Sequence, residues 1–119
     1  MDRKRRGRKY DLEERCLTFS KNIRYLCCNL RLSIASYEDS KQLIRSSGSV
    51  GANYIEANEA LSRKDFVYRI KICRKEAKES CYWLKLVTPK PGFSNHKNKL
   101  IQEAVELMKI FGAIMHKSK

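Results

Sequence analysis

Apolar side chains recur along the chain at alternating intervals of three and four residues, a spacing that puts them on one face of an α-helix. The first of these stripes predicts a helix over about residues 11–32 and consists of Leu12, Cys16, Phe19, Ile23, Leu26 and Leu30. The last predicts a helix over about residues 95–116 and consists of Leu100, Ala104, Leu107, Phe111 and Ile114. Each helix therefore has one apolar face that needs to be buried.

Two further helices are predicted between these, over about residues 37–61 and 63–88. The earlier one contains the segment SSGSVGA at 46–52, and each glycine inside a helix costs about 1 kcal/mol relative to alanine. We expect a continuous helix rather than a break near Gly48, because the apolar periodicity resumes at once. A neighbouring backbone or a ligand is expected to approach closely there. Ser62 is placed to cap the next helix, and the prolines within residues 88–92 end it.

Four helices of similar length, joined by short connections, predict an all-α protein with the architecture of an antiparallel up-down four-helix bundle. The chain of 119 residues is long enough for one domain with one core. The predicted bundle covers residues 11–116. A disordered basic arm is expected over residues 1–10 and a short basic tail over 117–119.

The chain is strongly basic, because its 26 lysines and arginines outnumber its 13 aspartates and glutamates and its formal net charge is +13. A small domain this basic points to a polyanionic partner, nucleic acid first and an anionic membrane surface second. No uncharged apolar run is long enough for a membrane span, and we expect RNA or DNA, not a membrane, as the partner. Six candidate nucleic-acid-binding residues lie in the arm: Arg3, Lys4, Arg5, Arg6, Arg8 and Lys9.

The third predicted helix carries the remaining candidate binding residues. Four lysines recur there every seven residues, a spacing that drifts by only about 20° per step around a helix. Two further cations fall beside this line, and the whole set is here called the basic ridge: Lys64, Lys71, Arg74, Lys75, Lys78 and Lys85. Segregation of one sign of charge favours contacts with phosphates over a solvated face without a ligand, which is the alternative interpretation.

No arrangement of residues in the sequence predicts catalysis, a cofactor or a metal. The five cysteines form no CxxC pair, and His96 and His116 have no recognisable partner spacing. The cysteines are expected to be reduced thiols, which favours a cytoplasmic location. Glu56, Glu76 and Glu79 are expected to pair with Arg45 or Arg69 instead of binding a metal. Trp83 is expected to be a core or interface anchor.

Residues 45–87 resemble a family of small bacterial four-helix bundle proteins. The motifs that carry the resemblance are RSSGSVGANYIEA at 45–57, SRKDF at 62–66 and KEAKESCYWL at 75–84. The family includes the products of intervening sequences in 23S rRNA genes and the accessory variability determinants of diversity-generating retroelements. The resemblance implies a homopentameric ring and, for the retroelement branch, a non-enzymatic protein that binds RNA or DNA and works with a reverse transcriptase.

The leading hypothesis is therefore a non-enzymatic nucleic-acid-binding accessory protein of a retroelement, which binds through the basic ridge and the arm. One alternative is a structural adaptor that binds a protein partner such as a polymerase, with nucleic acid supplied by that partner. Another is an rRNA intervening-sequence product whose role the residues do not indicate.

Overall fold

The computed structural model describes residues 3–118, with side chains described for residues 11–118. It contains four helices, α1 (Arg3–Cys27), α2 (Ile34–Asn58), α3 (Arg63–Leu86) and α4 (Ser94–Lys117). The only β-type pairing among the described residues is an isolated bridge between Leu30 and Pro89. The prediction of an all-α chain with four helices is confirmed.

The helices pack in the order in which they follow one another, and α4 also packs against α1 to close the bundle. The α1–α2 and α3–α4 connections meet at one end. There the amide of Arg31 donates to the carbonyl of Thr88 at 2.9 Å, and the amide of Lys90 donates to that of Asn29 at 2.8 Å. Because both connections lie at the same end, the helices run alternately up and down. The resulting body measures 47 × 26 × 19 Å.

The core is built from the apolar stripes that the sequence predicts. Every residue of the first stripe is buried, and the last stripe is buried as far as Phe111. In α3 the apolar spacing is interrupted after Ala77, and Ser80 and Cys81 fill the gap as buried residues. Ser80 is accommodated by donating to the carbonyl of Glu76 at 2.9 Å, so its hydroxyl is not left unsatisfied in the core.

The helix ends differ from the sequence prediction where the chain turns. Helix α1 ends at Cys27 instead of near residue 32, and the buried Leu30 reaches the core from the connection. Helix α2 begins at Ile34 because Ser33 caps it, its hydroxyl accepting from the amide of Ser36 at 2.9 Å. Helix α2 ends at Asn58 instead of near residue 61, so Leu61 lies outside the helix and is 98% exposed.

The beginning of the chain also differs from the expected disordered arm, because α1 already includes residues 3–10. Arginine and lysine have long unbranched side chains that lose little freedom in a helix, and Gly7 is the only strong helix breaker in this stretch. The side chains of residues 1–10 lie outside those described, as does Lys119 at the end of the predicted tail.

Helix α2 is continuous through its glycines and serines, as predicted, and the expected close approach occurs at Gly51. A Cβ atom added to Gly51 would lie 3.2 Å from the Cβ of Cys16 on α1. Gly48 has more room, because an added Cβ would meet the Arg24 guanidinium only at 3.8 Å. The serines beside these glycines tie α2 to both neighbours. Ser20 donates to the carbonyl of Ser47 at 3.0 Å, and the hydroxyls of Ser46 and Ser80 lie 2.9 Å apart.

All five cysteines are free thiols, and three of them, Cys16, Cys73 and Cys81, are buried. Burial raises the pKa of both Cys16 and Cys73 to about 12. Because the thiolate is the reactive form, these cysteines behave as small apolar core residues.

We predict that Gly51→Leu lowers the free energy of unfolding by about 1–3 kcal/mol, because its side chain must enter space occupied by Cys16. The matched change is Gly112→Ala in α4, where an added Cβ meets nothing within 4 Å. That variant should gain up to about 1 kcal/mol from helix propensity. Urea unfolding measures both. A Gly51→Leu variant as stable as the parent protein would show that the α1–α2 contact tolerates a wider separation.

Candidate nucleic-acid interface

The basic ridge lies on the solvent-facing side of α3. Its six cations are all exposed, whereas Ile70, Cys73 and Ala77 on the opposite face are buried. From Lys64 to Lys85 the ridge extends about 31 Å along the helix axis. Among residues 11–118, no carboxylate lies within 4.0 Å of a ridge cation. The ridge is thus a line of positive charges that form no ion pair with the described carboxylates.

The two glutamates of α3 are turned away from the ridge and towards α2. Arg45 of α2 reaches both, with its guanidinium 3.7 Å from the Glu76 carboxylate and 3.3 Å from that of Glu79. The predicted pairing of these glutamates with Arg45 is confirmed. Arg69 makes a different contact and donates to the Asn53 side chain at 2.9 Å. The acids that could neutralise the ridge are therefore held on its α2 side.

Glu76 is the one buried carboxylate among the described residues, at 7% exposure. Its Oε2 accepts no hydrogen bond from the described residues, although Arg45 lies close. Burial, reinforced by the neighbouring Glu79 carboxylate, raises the pKa of Glu76 above its ordinary value, while Arg45 and Lys75 oppose the shift. The desolvation of this carboxylate thus exceeds the compensation from its partners.

A shallow groove runs between α2 and α3 near the C-terminal end of the ridge, and we call it the Tyr82 groove. It is lined by Gln42, Arg45, Lys78, Glu79, Tyr82 and Trp83. Trp83 packs against the core as a partly buried side chain, as expected of an anchor. Tyr82 is 59% exposed and contacts the Trp83 ring edge-on, with 5.1 Å between the centroids. The sequence interpretation missed Tyr82, although its seven-residue spacing from Lys75 could have revealed it.

A second groove lies at the opposite end of α3 and has a different charge. It contains three carboxylates, those of Glu56, Glu59 and Asp65, together with Tyr68 and Arg69. Tyr68 is 61% exposed and precedes Tyr82 by two seven-residue steps, so both tyrosines share the face of α3 that carries the ridge. The N-terminal end of the ridge is therefore bordered by three carboxylates, whereas the groove at its C-terminal end has one, Glu79, which is paired with Arg45.

The remaining candidate groups are the histidines, the acidic side chains and the arm. No group of three or more His, Cys, Asp or Glu side chains suited to a metal occurs within the described part of the chain. His96 lies 3.3 Å from the Asn22 carbonyl and packs edge-on against Tyr25. Of the helices described, none is long and apolar enough to cross a membrane. The arm residues predicted to bind nucleic acid have side chains outside the described set.

Comparison with known proteins supports the resemblance seen in the sequence. The model of a family described as the 23S rRNA-intervening sequence protein matches residues 8–113. The chain belongs to this family. The match includes all of α2 and α3 and most of α1 and α4, so the basic ridge lies within the family domain.

A solved structure from Bacteroides thetaiotaomicron VPI-5482 is similar to this member of the 23S rRNA-intervening sequence protein family. That protein is described as one of unknown function from the S23 ribosomal protein family. The two share 30% sequence identity with a TM-score of 0.72, over 87% of this chain and 96% of the other. None of the curated proteins matches the chain. The comparisons thus establish the family and the fold of the chain.

We predict that Glu76→Gln raises the free energy of unfolding at neutral pH. Because the pKa of Glu76 is raised in the folded protein, its ionisation opposes folding once the pH exceeds the ordinary carboxyl value of about 4.3. Below that value the penalty disappears, so the variant and the parent protein should become similar. Urea unfolding as a function of pH measures the difference.

The matched control for this prediction is Glu79→Gln, which removes a charge from the same arginine pair but at a side chain 39% exposed. It should lack the gain seen at neutral pH. A Glu76→Gln variant less stable than the parent protein at neutral pH would mean that the Arg45 pair outweighs the desolvation of Glu76.

Proposed function

We propose that this protein is a non-enzymatic nucleic-acid-binding protein whose basic ridge contacts the phosphates of RNA or DNA. The observation that carries the proposal is the line of six exposed cations on α3 with no carboxylate of residues 11–118 in contact. Unpaired cations in a row release counterions when they meet a phosphate backbone, and this release drives binding without base preference.

The charge distribution on α3 supports this proposal over a solvated lysine face. A face evolved only for solubility mixes both signs, whereas the α3 glutamates are held by Arg45 on the flank towards α2. The acids near the ridge are concentrated beside Tyr68 at its N-terminal end. Lys71 to Lys85 therefore form the part of the ridge best suited to phosphates. The arm residues Arg3 to Lys9 would add sequence-independent affinity through their charge.

The finer parts of the proposal follow from the resemblance to the accessory proteins of retroelements. In this proposal the protein assists a reverse transcriptase in the cytoplasm and assembles as a homopentamer. A ring of five ridges would bind one strand at several points, so that weak contacts reinforce each other. Sedimentation equilibrium tests the ring: we expect a mass of about 70 kDa, five times the 14.0 kDa chain mass. A mass of one chain would contradict it.

We predict that replacing Lys71, Lys78 and Lys85 with glutamate abolishes measurable binding of a short RNA at physiological salt. The parent protein should lose affinity steeply between about 50 and 200 mM salt, because bound phosphates release counterions. Any residual binding of the variant should show a slope of log affinity against log salt reduced by about two, since three phosphate contacts are lost. Fluorescence anisotropy of a labelled oligonucleotide measures both quantities.

The matched control replaces Lys41, Lys99 and Lys109 with glutamate. These lysines are exposed and lie on α2 and α4, so the net charge changes equally while the basic ridge stays intact. We expect this control to retain most of the affinity. Equal losses in both variants would show that only the net charge matters. If the parent protein binds no naked RNA but a reverse transcriptase still captures it, the adaptor hypothesis replaces this proposal.

A further inference from the structure

We propose that Tyr82 is a stacking platform for a base of single-stranded nucleic acid, placed beside the phosphates that the basic ridge binds. This inference rests on the proposed function and names the class of strand that the ridge accepts. An exposed aromatic ring next to cations is the arrangement by which proteins bind single strands without reading their sequence. A duplex keeps its bases stacked internally, so it can use the ridge but not the ring.

The exposure of Tyr82 is the first step of the argument. Tyr82 is 59% exposed, because it lies on the side of α3 that faces away from the core. The edge-on contact with Trp83, at 5.1 Å between centroids, supports the ring from one side. A tyrosine that is held by a neighbouring aromatic ring and is more than half exposed can stack with a base at little cost in side-chain freedom.

Tyr82 lies beside the row formed by Lys71, Lys78 and Lys85, on the side of that row that faces the groove. At about 100° per residue, Lys71, Lys78 and Lys85 lie roughly 20–60° to one side of Tyr82. Glu79 and Trp83 lie about 60–100° to the other side, towards α2. A strand whose phosphates follow the lysines would therefore turn its bases towards Tyr82 and its groove.

The chemistry of the Tyr82 groove suits a base. Gln42 offers an amide that can both donate and accept, and Lys78 adds a positive charge that no carboxylate of residues 11–118 contacts. Glu79 is the only carboxylate in the lining, and it is already paired with Arg45 at 3.3 Å. A base entering this groove would meet no unpaired negative charge.

Tyr68 provides a contrast within the same helix. It is 61% exposed on the same face, but its groove contains Glu56, Glu59 and Asp65. These carboxylates repel the phosphates on either side of any base that approaches Tyr68. We therefore assign stacking to Tyr82 alone, and Tyr68 becomes a matched control for the loss of one exposed tyrosine ring.

The test compares Tyr82→Leu with Tyr68→Leu in the full chain, with an oligoadenylate of about 12 nucleotides, which is longer than the ridge at a stacked spacing of about 3.4 Å. An RNA duplex and inorganic polyphosphate, which has no bases, are the other probes. We expect Tyr82→Leu to weaken oligoadenylate binding by about 5- to 150-fold, corresponding to about 1–3 kcal/mol per stacked base. Its binding of the duplex and of polyphosphate should be unchanged, and Tyr68→Leu should match the parent protein throughout.

Two further measurements distinguish the loss of a stacking ring from a folding defect. Tyr82→Phe keeps an aromatic ring and should restore oligoadenylate binding. Trp83 is the only tryptophan in the chain and contacts Tyr82, so oligoadenylate should change its fluorescence while polyphosphate should not.

The outcomes separate this inference from the proposal on which it rests. If Tyr82→Leu binds oligoadenylate as well as Tyr68→Leu does, or loses polyphosphate equally, base stacking by Tyr82 is refuted while the phosphate-binding ridge stands. If the parent protein binds none of the three probes, the proposed function is itself wrong and this inference falls with it.

Discussion

The close packing of α2 between its two neighbours is the constraint on which the rest of the bundle depends. Gly51 leaves just enough room for Cys16 of α1, and Ser46 meets Ser80 of α3 through hydroxyls 2.9 Å apart. Small side chains bring the helix axes together, and the hydroxyls buried at these contacts have hydrogen-bond partners. With α2 fixed in this way, only one orientation of α3 about its own axis buries Ile70 and Leu84. In that orientation the basic ridge faces water.

Packing against α2 also separates the two glutamates of α3 from its basic ridge. Arg45 projects from α2 towards the flank that carries Glu76 and Glu79 and pairs with both. A helix with both acids and bases would ordinarily neutralise itself through pairs three or four residues apart. Here the acids are engaged across the helix interface, which leaves the basic ridge without a local counter-charge. The stability of the bundle and the potential of its surface therefore depend on the same helix pair.

The sequence predicted the parts of the structure that follow from helical periodicity, which are the buried stripes, the continuity of α2 and the exposure of the ridge lysines. It misjudged residues whose surroundings are set by chain reversal. Leu30 and Leu61 both fall within predicted helices, but Leu30 is buried from a connection, and Leu61 lies beyond the end of α2 and is 98% exposed. Tyr82 was missed because the sequence interpretation considered only its neighbour Trp83, whereas adjacent helical positions point about 100° apart. Only the rotation of α3 shows which ring reaches solvent.

The geometry of the ridge also limits what kind of recognition this member of the 23S rRNA-intervening sequence protein family could achieve. Its cations all lie on one helix, so within a single chain they can meet phosphates from one side only. Contacts of this kind depend on charge and salt and discriminate poorly between sequences. Discrimination by strand type then has to come from a group that responds to unpaired bases. On the ridge face of α3, Tyr82 has both the exposure and the neighbouring positive charge that such a role requires.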